Sequence, residues 1–338
     1  MTEPIPVAVI GAGRIGRLHA EHLAWRLPEA RLVAVADPRL EAAQACASAC
    51  RAERAVADYR KVLDDPAIAA VIICSATDTH VAIIEAAAAA GKHIFCEKPI
   101  AHDLAAIDRA LAAVEAAGVL LQVGFNRRFD PTFRHVHELV AAGEIGAPHI
   151  LRITSRDPAP PPLDYVRVSG GLFLDMAIHD FDMARYLMGD EVEEVCAFGG
   201  VLIDPAIGQA GDIDTAVVML RFADGALGAI DNSRQAVYGY DQRVEVFGAS
   251  GAITVSNNTP HSAVVSKADG VHGPKPLYFF VERYADSYLA EMRAFLESVR
   301  AGSPPPVTGA DGRAPVAIAL AARRSLSERR PVRLAEIG

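Results

Sequence analysis

Short runs rich in Val and Ile alternate with longer Ala-rich amphipathic stretches over the first third of the chain. The apolar runs predict strands at Val7–Ile10, Arg31–Ala36, Val71–Cys74, His93–Cys96 and Val119–Val123, with a weaker one near Ala55–Ala57. The stretches between them predict helices at Ile15–Trp25, Leu40–Cys50, His80–Ala90 and Leu104–Ala117. This alternation is typical of parallel strands joined by crossover helices, so we expect an α/β domain of the Rossmann type over residues 1–123.

The pattern changes after Gly124, where a helix at Pro131–Ala142 is followed by strands of two-residue alternation. Thr215–Phe222 and Ala226–Asp231 flank the turn Asp224-Gly225 and predict an antiparallel hairpin. Arg243–Phe247 alternates in the same way, which leaves one sheet face free. We expect an α+β domain over 124–338 with a large, mostly antiparallel, open-faced sheet, closed by helices at 284–300 and 313–328 that could pack back on the first domain and by a strand at Pro331–Leu334.

A glycine loop follows the first strand and opens the first helix. Gly11, Gly13 and Gly16 give the spacing Gly-x-Gly-x-x-Gly in the context that makes this pattern informative. Gly11 provides the tight turn, Gly13 lets the backbone approach a pyrophosphate, and Gly16 permits close packing of helix on strand. The helix N-terminus, with Arg14 and Ile15, would face the phosphates. The loop predicts a dinucleotide site.

Asp37 ends the second strand, 21 residues after Gly16. A carboxylate there can accept hydrogen bonds from both ribose hydroxyls of the adenosine and repels a 2′-phosphate, which favours NAD over NADP. Arg39 weakens this preference, because an arginine at that place can stack on adenine or neutralise a phosphate. NAD is the expected cofactor, with NADP the alternative.

Two further motifs suggest chemistry. Glu97-Lys98-Pro99 follows the strand His93–Cys96 and places Lys98 at the carboxyl edge of the parallel sheet, where ligands bind in such folds, although a solvated loop lysine is an equally good interpretation. Asp175 and His179 stand four residues apart in a predicted helix that ends at Gly189, so that both lie on one face. A carboxylate that stabilises an imidazolium makes the histidine a proton acceptor near neutral pH, whereas the plain alternative is a capping aspartate with an ordinary buried histidine.

Composition narrows the class of protein. The net charge of −9 argues against a nucleic-acid partner, and the apolar runs are too short to span a bilayer. The start of the chain carries no basic leader, so we expect a cytoplasmic protein. Five cysteines without framework spacing indicate free thiols; Cys46 and Cys50 share a helix face but have no second pair, and we predict no metal site. For His19 and His22, beside the first helix, a role in the core or on the surface is expected instead of a functional one.

Taken in order, the glycine loop, Thr77-x-Thr79-His80, Glu97-Lys98-Pro99 and Asp175-x-x-x-His179-Asp180 resemble the Gfo/Idh/MocA family of NAD(P)-dependent oxidoreductases, and the likeness covers essentially the whole chain. Three further segments are similar to those of family members that oxidise inositols: Gly124–Asp130, Arg156-Asp157-Pro158 and Tyr238-Gly239-Tyr240-Asp241.

The resemblance implies a set of roles. Lys98 would orient the substrate hydroxyl, and His179, supported by Asp175, would take its proton while hydride passes to the cofactor. The family's Lys-Pro bond is often cis. The implied substrate-binding residues are Lys98, Asn126, Arg127, Asp157, Asp175, His179, Tyr238 and Tyr240, and Ser75, Thr77, His80, Glu97 and Lys98 would join the glycine loop, Asp37 and Arg39 around the cofactor. For His80, a packing role at the helix start is an equal alternative.

The implied reaction is NAD-dependent oxidation of a secondary hydroxyl of a cyclic polyol, with myo-inositol converted to scyllo-inosose as the first expectation. The alternatives are scyllo- or D-chiro-inositol or a pyranose as substrate, and a non-catalytic dinucleotide sensor that has kept the fold. Members of the family commonly form tetramers through such a sheet, so the free sheet face predicts a homotetramer.

Overall fold

The computed structural model describes residues 3–338, which form two compact units. The first comprises 3–129 and 286–316, and the second comprises 130–285 and 317–338. A segment close to the end of the chain therefore completes the first unit.

The first unit is built on alternating strands and helices. In chain order they are β1 Ile5–Ile10, α1 Arg14–Trp25, β2 Ala30–Ala36, α2 Leu40–Cys50, β3 Arg54–Val56, α3 Arg60–Leu63, β4 Ala70–Ile73, α4 Thr77–Ala89, β5 His93–Glu97, α5 Leu104–Ala117 and β6 Leu121–Gly124. The strands make one parallel sheet in the order β3-β2-β1-β4-β5-β6, the Rossmann arrangement that the alternation predicts. The order reverses between β1 and β4, so ligands are expected at the carboxyl ends of those strands.

Side-chain chemistry sets the ends of these elements. Asp103 caps α5 by accepting a hydrogen bond from the Ala106 amide, and Gly118 ends the helix in the left-handed conformation, at φ 65°. Val7, Val9 and Ile72 are fully buried in the sheet's core, against which Phe295 of a later helix also packs. Ala8, Val71 and Ile73, which point to the opposite face, are fully buried as well, so the strands bury both faces, as parallel sheets require.

The second unit and the closing segment contain the remaining elements. They are α6 Pro131–Ala141, β7 Pro148–Arg156, α7 Leu163–Val166, α8 Gly171–Asp175, α9 Ile178–Met188, β8 Val192–Gly200, α10 Pro205–Gln209, β9 Thr215–Phe222, β10 Leu227–Ser233, β11 Asp241–Gly248, β12 Gly251–Val255, β13 Val265–Lys267, β14 Gly270–His272, α11 Phe280–Arg283, α12 Ala285–Ala301, α13 Gly309–Glu328 and β15 Val332–Arg333. Short 3₁₀ turns occupy Asn126–Phe129 and Leu334–Glu336. Among residues 3–338, no helix combines the length and apolar character that crossing a membrane requires.

Seven strands of this unit form a sheet in the order β12-β11-β7-β10-β9-β8-β15. Every pairing is antiparallel except that of β10 with β7. The predicted hairpin is present, with Leu227 opposite Arg221. One face is buried and the other exposes apolar side chains, among them Val217, Met219 and Phe247. The mostly antiparallel, open-faced sheet is therefore confirmed.

The prediction of one continuous helix through Asp175 and His179 is wrong. Asp175 ends α8 and His179 lies in the first turn of α9. At the junction the Ala177 amide donates to the Leu172 carbonyl, five residues back, instead of four. Such a widened turn rotates the residues that follow it and occurs often at functional sites. Spacing in sequence alone therefore does not place these two side chains on one helix face.

Candidate active site

The glycine loop has the geometry that dinucleotide binding requires. Gly11 has φ 101°, and a Cβ on it would lie 2.5 Å from the Cys74 carbonyl oxygen. A Cβ on Gly16 would lie 1.8 Å from the Gly11 carbonyl oxygen, so α1 can pack this closely on the loop only with glycine there. Gly13 is exposed and nothing lies within 4 Å of its Cβ position. Gly11 and Gly16 are therefore required by the fold, whereas Gly13 leaves the backbone at the amino end of α1 open to a ligand.

Asp37 is fixed beside this loop by backbone donors. Its carboxylate accepts hydrogen bonds from the Ala12 amide at 2.8 Å and from the Arg39 amide at 2.9 Å, and the residue is 7% exposed. The Arg39 side chain is 77% exposed, with its Nε 3.6 Å from Asp37. A rigid carboxylate beside an open glycine turn fits the adenosine ribose of NAD.

The carboxyl ends of β4 and β5 are joined through a histidine. His80, 1% exposed, has Nδ1 2.9 Å from the Pro99 carbonyl oxygen and Nε2 3.1 Å from the Ser75 carbonyl oxygen. Burial lowers the pKa of His80, and the two carbonyls act in the opposite direction. The Ser75 hydroxyl is hydrogen-bonded to Thr79. His80, near the start of α4, thus fixes the segment with Ser75 and Thr77 relative to the segment with Lys98 and Pro99.

Lys98 lies between two anchored residues. The Lys98–Pro99 peptide bond is cis, as the family pattern led us to expect. Pro99 is held by His80, and the Glu97 carboxylate lies 2.8 Å from His19 Nε2. Because an ionised carboxylate only accepts, His19 donates. Of the two roles left open for His19, the structure shows the core one, and there its ring makes a specific polar contact in addition to packing.

In the second unit, a buried arginine joins the two aspartates that the motifs single out. Arg234, 3% exposed, donates to Asp157 at 3.3 Å and to Asp175 at 3.0 Å. Burial acts to lower the pKa of Arg234, but the neighbouring Asp175 and Asp157 raise it overall. Tyr165 donates to the other Asp175 oxygen at 2.7 Å. The carboxylate of Asp175 is therefore held from two sides.

The backbone brings this cluster together. The Asp157 amide donates to the Ser233 carbonyl at 2.9 Å and the Ala236 amide donates to the Asp157 carbonyl at 2.6 Å, so the chain pairing of β7 with β10 continues past both strands. Asn232, two residues before Arg234, is also buried and donates to Asp180 at 2.8 Å. The inward positions of β10 thus change from apolar to polar as the strand approaches the predicted site.

The remaining predicted residues differ in exposure. Asn126 and Arg127 are buried in the 3₁₀ turn after β6. Tyr238 is exposed and hydrogen-bonded to both Asp241 and Arg156. Tyr240 is 6% exposed and meets the Tyr284 ring edge-on at 6.1 Å. For all four, a role in substrate binding stays a prediction.

Sequence reasoning missed Arg234 and Tyr165. The signal for Arg234 was present: it continues the buried side of β10, where Gly228, Ile230 and Asn232 precede it at two-residue intervals. A charged side chain on the inward register of a strand needs a partner of opposite charge. Tyr165 lies in a loop helix with no periodic signal, and only the structure shows its contact with Asp175.

Comparison with known proteins agrees with this architecture. Residues 5–125 match the model of an oxidoreductase family with an NAD-binding Rossmann fold, and residues 133–254 match the Gfo/Idh/MocA C-terminal domain. The chain belongs to the Gfo/Idh/MocA family of oxidoreductases, and its cofactor is NAD.

Individual relatives align over almost the full length. The chain is 53% identical to myo-inositol 2-dehydrogenase of Thermotoga maritima over 98% of this chain and 99% of that protein. It is 46% identical to inositol 2-dehydrogenase of Rhizobium meliloti over 97% and 98%, respectively. The structure of scyllo-inositol dehydrogenase from Lactobacillus casei with bound NAD(H) and scyllo-inositol superposes with a TM-score of 0.92 at 30% identity, covering 98% of this chain and 100% of that one.

Proposed function

We propose that the protein is an NAD-dependent inositol 2-dehydrogenase that oxidises myo-inositol to scyllo-inosose. The observation that carries the proposal is the ion-pair cluster in which the buried Arg234 joins Asp157 and Asp175, next to the segment bearing His179, in a chain whose other unit has the glycine loop and Asp37. The names of the two relatives above support the substrate class.

The cofactor-binding residues are assigned from the first unit. The amides at the start of α1, with Gly13, Arg14 and Ile15, bind the pyrophosphate, and Asp37 accepts from the adenosine ribose hydroxyls. Ser75, Thr77, His80 and Glu97 complete the set at the carboxyl edge of the sheet, and Arg39 flanks the adenine. When bound, the nicotinamide supplies a two-electron hydride acceptor.

Three residues are assigned to the chemistry. His179 takes the proton of the hydroxyl being oxidised, since a neutral imidazole is a base suited to neutral pH. Asp175 stabilises the resulting imidazolium. Lys98 donates to the substrate oxygen as negative charge develops on it. The proton thus leaves from oxygen to His179 while the hydrogen on carbon leaves with its electron pair.

The polyol-binding residues are assigned by their hydrogen-bonding capacity. Asn126, Arg127, Asp157, Tyr238 and Tyr240 offer amide, guanidinium, carboxylate and phenol groups, which suit a ring that carries a hydroxyl on every carbon. Asp157 is oriented by Arg234 and by backbone bonds on both sides. A second candidate substrate is scyllo-inositol, because a Bacillus subtilis scyllo-inositol 2-dehydrogenase is 38% identical over 99% of this chain.

Self-association is part of the proposal. The exposed sheet face presents Val217, Met219, Leu227 and Phe247, and an apolar surface of this kind suits burial against another copy. We propose a homotetramer; a monomeric mass by light scattering at micromolar concentration would refute it. We further propose a cytoplasmic location, a reducing compartment in which the five cysteines would remain free thiols.

The activity is tested with a panel of inositol isomers and aldoses, each supplied with NAD or NADP, while NADH formation is followed by absorbance. We expect myo-inositol with NAD to give the highest kcat/KM. Lys98→Ala and His179→Ala should each lower kcat by at least about 100-fold while NAD binding, measured by calorimetry, persists. Undiminished turnover in both variants would contradict the assigned chemistry, and NAD binding without turnover of any polyol would favour a sensor.

A further inference from the structure

A buried acidic cluster lies next to the predicted cofactor edge of the first unit. Glu291 of α12 is completely buried, and its Oε1 lies 3.9 Å from His19 Nε2. That same nitrogen lies 2.8 Å from Glu97 Oε1. Two carboxyl groups and one imidazole therefore lie together, and one oxygen or nitrogen atom from each of the three side chains lies within 4.8 Å of the other two.

The surroundings of Glu291 and Glu97 make a second negative charge in this cluster energetically unfavourable. Within residues 3–338, neither carboxyl oxygen of Glu291 has a hydrogen-bond partner. A carboxylate without partners in the interior loses its hydration and gains nothing in return, whereas a neutral acid loses much less. Glu97, by contrast, accepts from His19 and keeps 13% of its side chain exposed. Of the two acids, Glu291 is the one that must carry a proton.

Burial raises the pKa of Glu291 well above its ordinary value, and the nearby Glu97 raises it further. Other titratable groups pack around the cluster. They come from α1, from the ends of β4 and β5, and from α12 itself: His19, His22, Cys74, Cys96, Glu97 and Tyr288. Burial is also the main cause that raises the pKa values of both cysteines, so they stay thiols, and it lowers the pKa of His22 to about 4.

A metal ion is the competing explanation, since two carboxylates and a histidine are common ligands. The geometry favours a proton instead. The 2.8 Å separation is a hydrogen bond between His19 and Glu97, which a metal would have to replace. A metal-bound histidine donates its other ring nitrogen to an outer partner, and Nδ1 of His19 has none among the described residues.

The cluster also explains a glycine at the end of β6. Gly124 pairs with Glu97 in the parallel sheet, and a Cβ on it would lie 3.0 Å from Glu97 Oε2. The Glu97 carboxyl group is thus confined by the Gly124 backbone on one side and held by His19 on another. The next residue is Lys98, whose other neighbour, Pro99, is held by His80.

We propose that Glu291 is a positioning residue: as a neutral carboxylic acid beside the His19–Glu97 pair, it adds no second negative charge next to Glu97 and so preserves the hydrogen bond that fixes the strand end presenting Lys98. The link to Lys98 rests on the proposed function, whereas the protonation of Glu291 does not. Its test is therefore separable from that of the dehydrogenase activity.

The protonation state is measured by infrared spectroscopy. The difference spectrum between wild type and Glu291→Gln at neutral pH should show the carbonyl stretch of a carboxylic acid, shifted in D₂O. Loss of carboxylate bands instead, or about one bound metal ion per chain by elemental analysis that disappears in Glu291→Gln, would overturn the proposal. These readouts need no substrate, so they remain valid if the protein oxidises no inositol.

Stability gives a second readout with a definite sign. Because the pKa of Glu291 is higher in the folded than in the unfolded chain, its contribution to stability is fully present below the unfolded value of about 4.3 and is lost as pH rises toward the folded value. Gln cannot titrate. The melting temperature of Glu291→Gln relative to wild type should therefore rise between about pH 5 and 8. A difference that stays constant or falls over this range would mean that the folded chain holds no extra proton on Glu291, and would refute the proposal.

The positioning role is tested by rescue. Glu291→Ala should lower kcat/KM for NAD about tenfold, with samples shown to be folded by circular dichroism, and Glu291→Gln should recover most of that loss because an amide is also neutral and of the same size. Equal losses in the two variants, or no loss in either, would contradict the positioning role.

Discussion

Glu291 in the first unit and Asp175 in the second are both acids withdrawn from solvent, but their neighbours differ. Glu291 has an imidazole and another carboxyl group nearby, whereas Asp175 accepts hydrogen bonds from the Arg234 guanidinium and the Tyr165 hydroxyl. A guanidinium 3.0 Å away favours the ionised form of Asp175, whereas burial without a hydrogen-bond partner among residues 3–338 favours the neutral form of Glu291. We therefore propose that the same functional group serves as a fixed charge in one unit and as a neutral acid in the other.

This difference has a chemical consequence. In the proposed reaction Asp175 stabilises an imidazolium and has to be ionised, and the ion pair with Arg234 favours that ionised form. The acid in the first unit has no such task, and a second negative charge there would repel Glu97. Charge therefore remains where the proposed reaction uses it.

Removal of the cation should have the largest effect. Arg234→Met removes a buried guanidinium and leaves the partly buried Asp157 and Asp175 without their common partner. We therefore expect the free energy of unfolding to fall by about 3 kcal/mol, the lower end of the range for broken buried ion pairs. The kcat/KM for the polyol should fall about 100-fold, since the aspartates lose their orientation. Urea unfolding and steady-state kinetics measure the two effects.

The matched control is Arg134→Met, which removes an exposed ion pair with Glu138. It should change the free energy of unfolding by less than about 0.5 kcal/mol. If Arg234→Met were as mild as this control, the buried guanidinium would not be what keeps the two aspartates charged.

Asp175→Asn should have an intermediate effect on stability. In this variant Arg234 still donates to Asp157 but loses one charged acceptor, so the free energy of unfolding should fall by about 1–3 kcal/mol. The kcat should nevertheless fall at least about 100-fold, because a neutral amide does not stabilise the imidazolium of His179. A stability loss with normal kcat would show that Asp175 only anchors Arg234.

Tyr165→Phe should have the smallest effect. It removes one hydrogen bond to Asp175 and leaves the ion pair intact, so the expected loss of stability is about 1 kcal/mol. Burial and the adjacent Asp175 raise the pKa of Tyr165, so the phenol is protonated and its contribution should not vary between pH 6 and 9. A pH-dependent difference from wild type over that range would contradict the assigned donor.

The fold was largely predictable from the chain. The first unit's strands are continuous apolar runs bounded by helices, and the second unit's sheet alternates every two residues, so period alone distinguished the two architectures. The break between Asp175 and His179 was not predictable. The chain is helical on both sides of it, and the break consists only of the Ala177 amide donating to the carbonyl five residues back instead of four.

The site was predictable only where residues close in sequence cooperate. Glycine spacing and the Glu97-Lys98-Pro99 tripeptide are local, but Arg234 meets Asp157 and Asp175 only after β10 and β7 pair. Glu291 meets His19 and Glu97 in the same non-local way, although a carboxylate on the buried face of α12, beside Tyr288 and Phe295, was a visible anomaly. Local sequence shows that a charge is present, and tertiary structure decides whether it is kept.

The most direct test of the proposed reaction uses myo-inositol deuterated on the carbon that is oxidised. If hydride passes from that carbon to the cofactor, one deuterium per turnover should appear on the nicotinamide of the NADH formed, as read by mass spectrometry, and none in the solvent. Deuterium that remains in the organic product or exchanges into water would contradict the account.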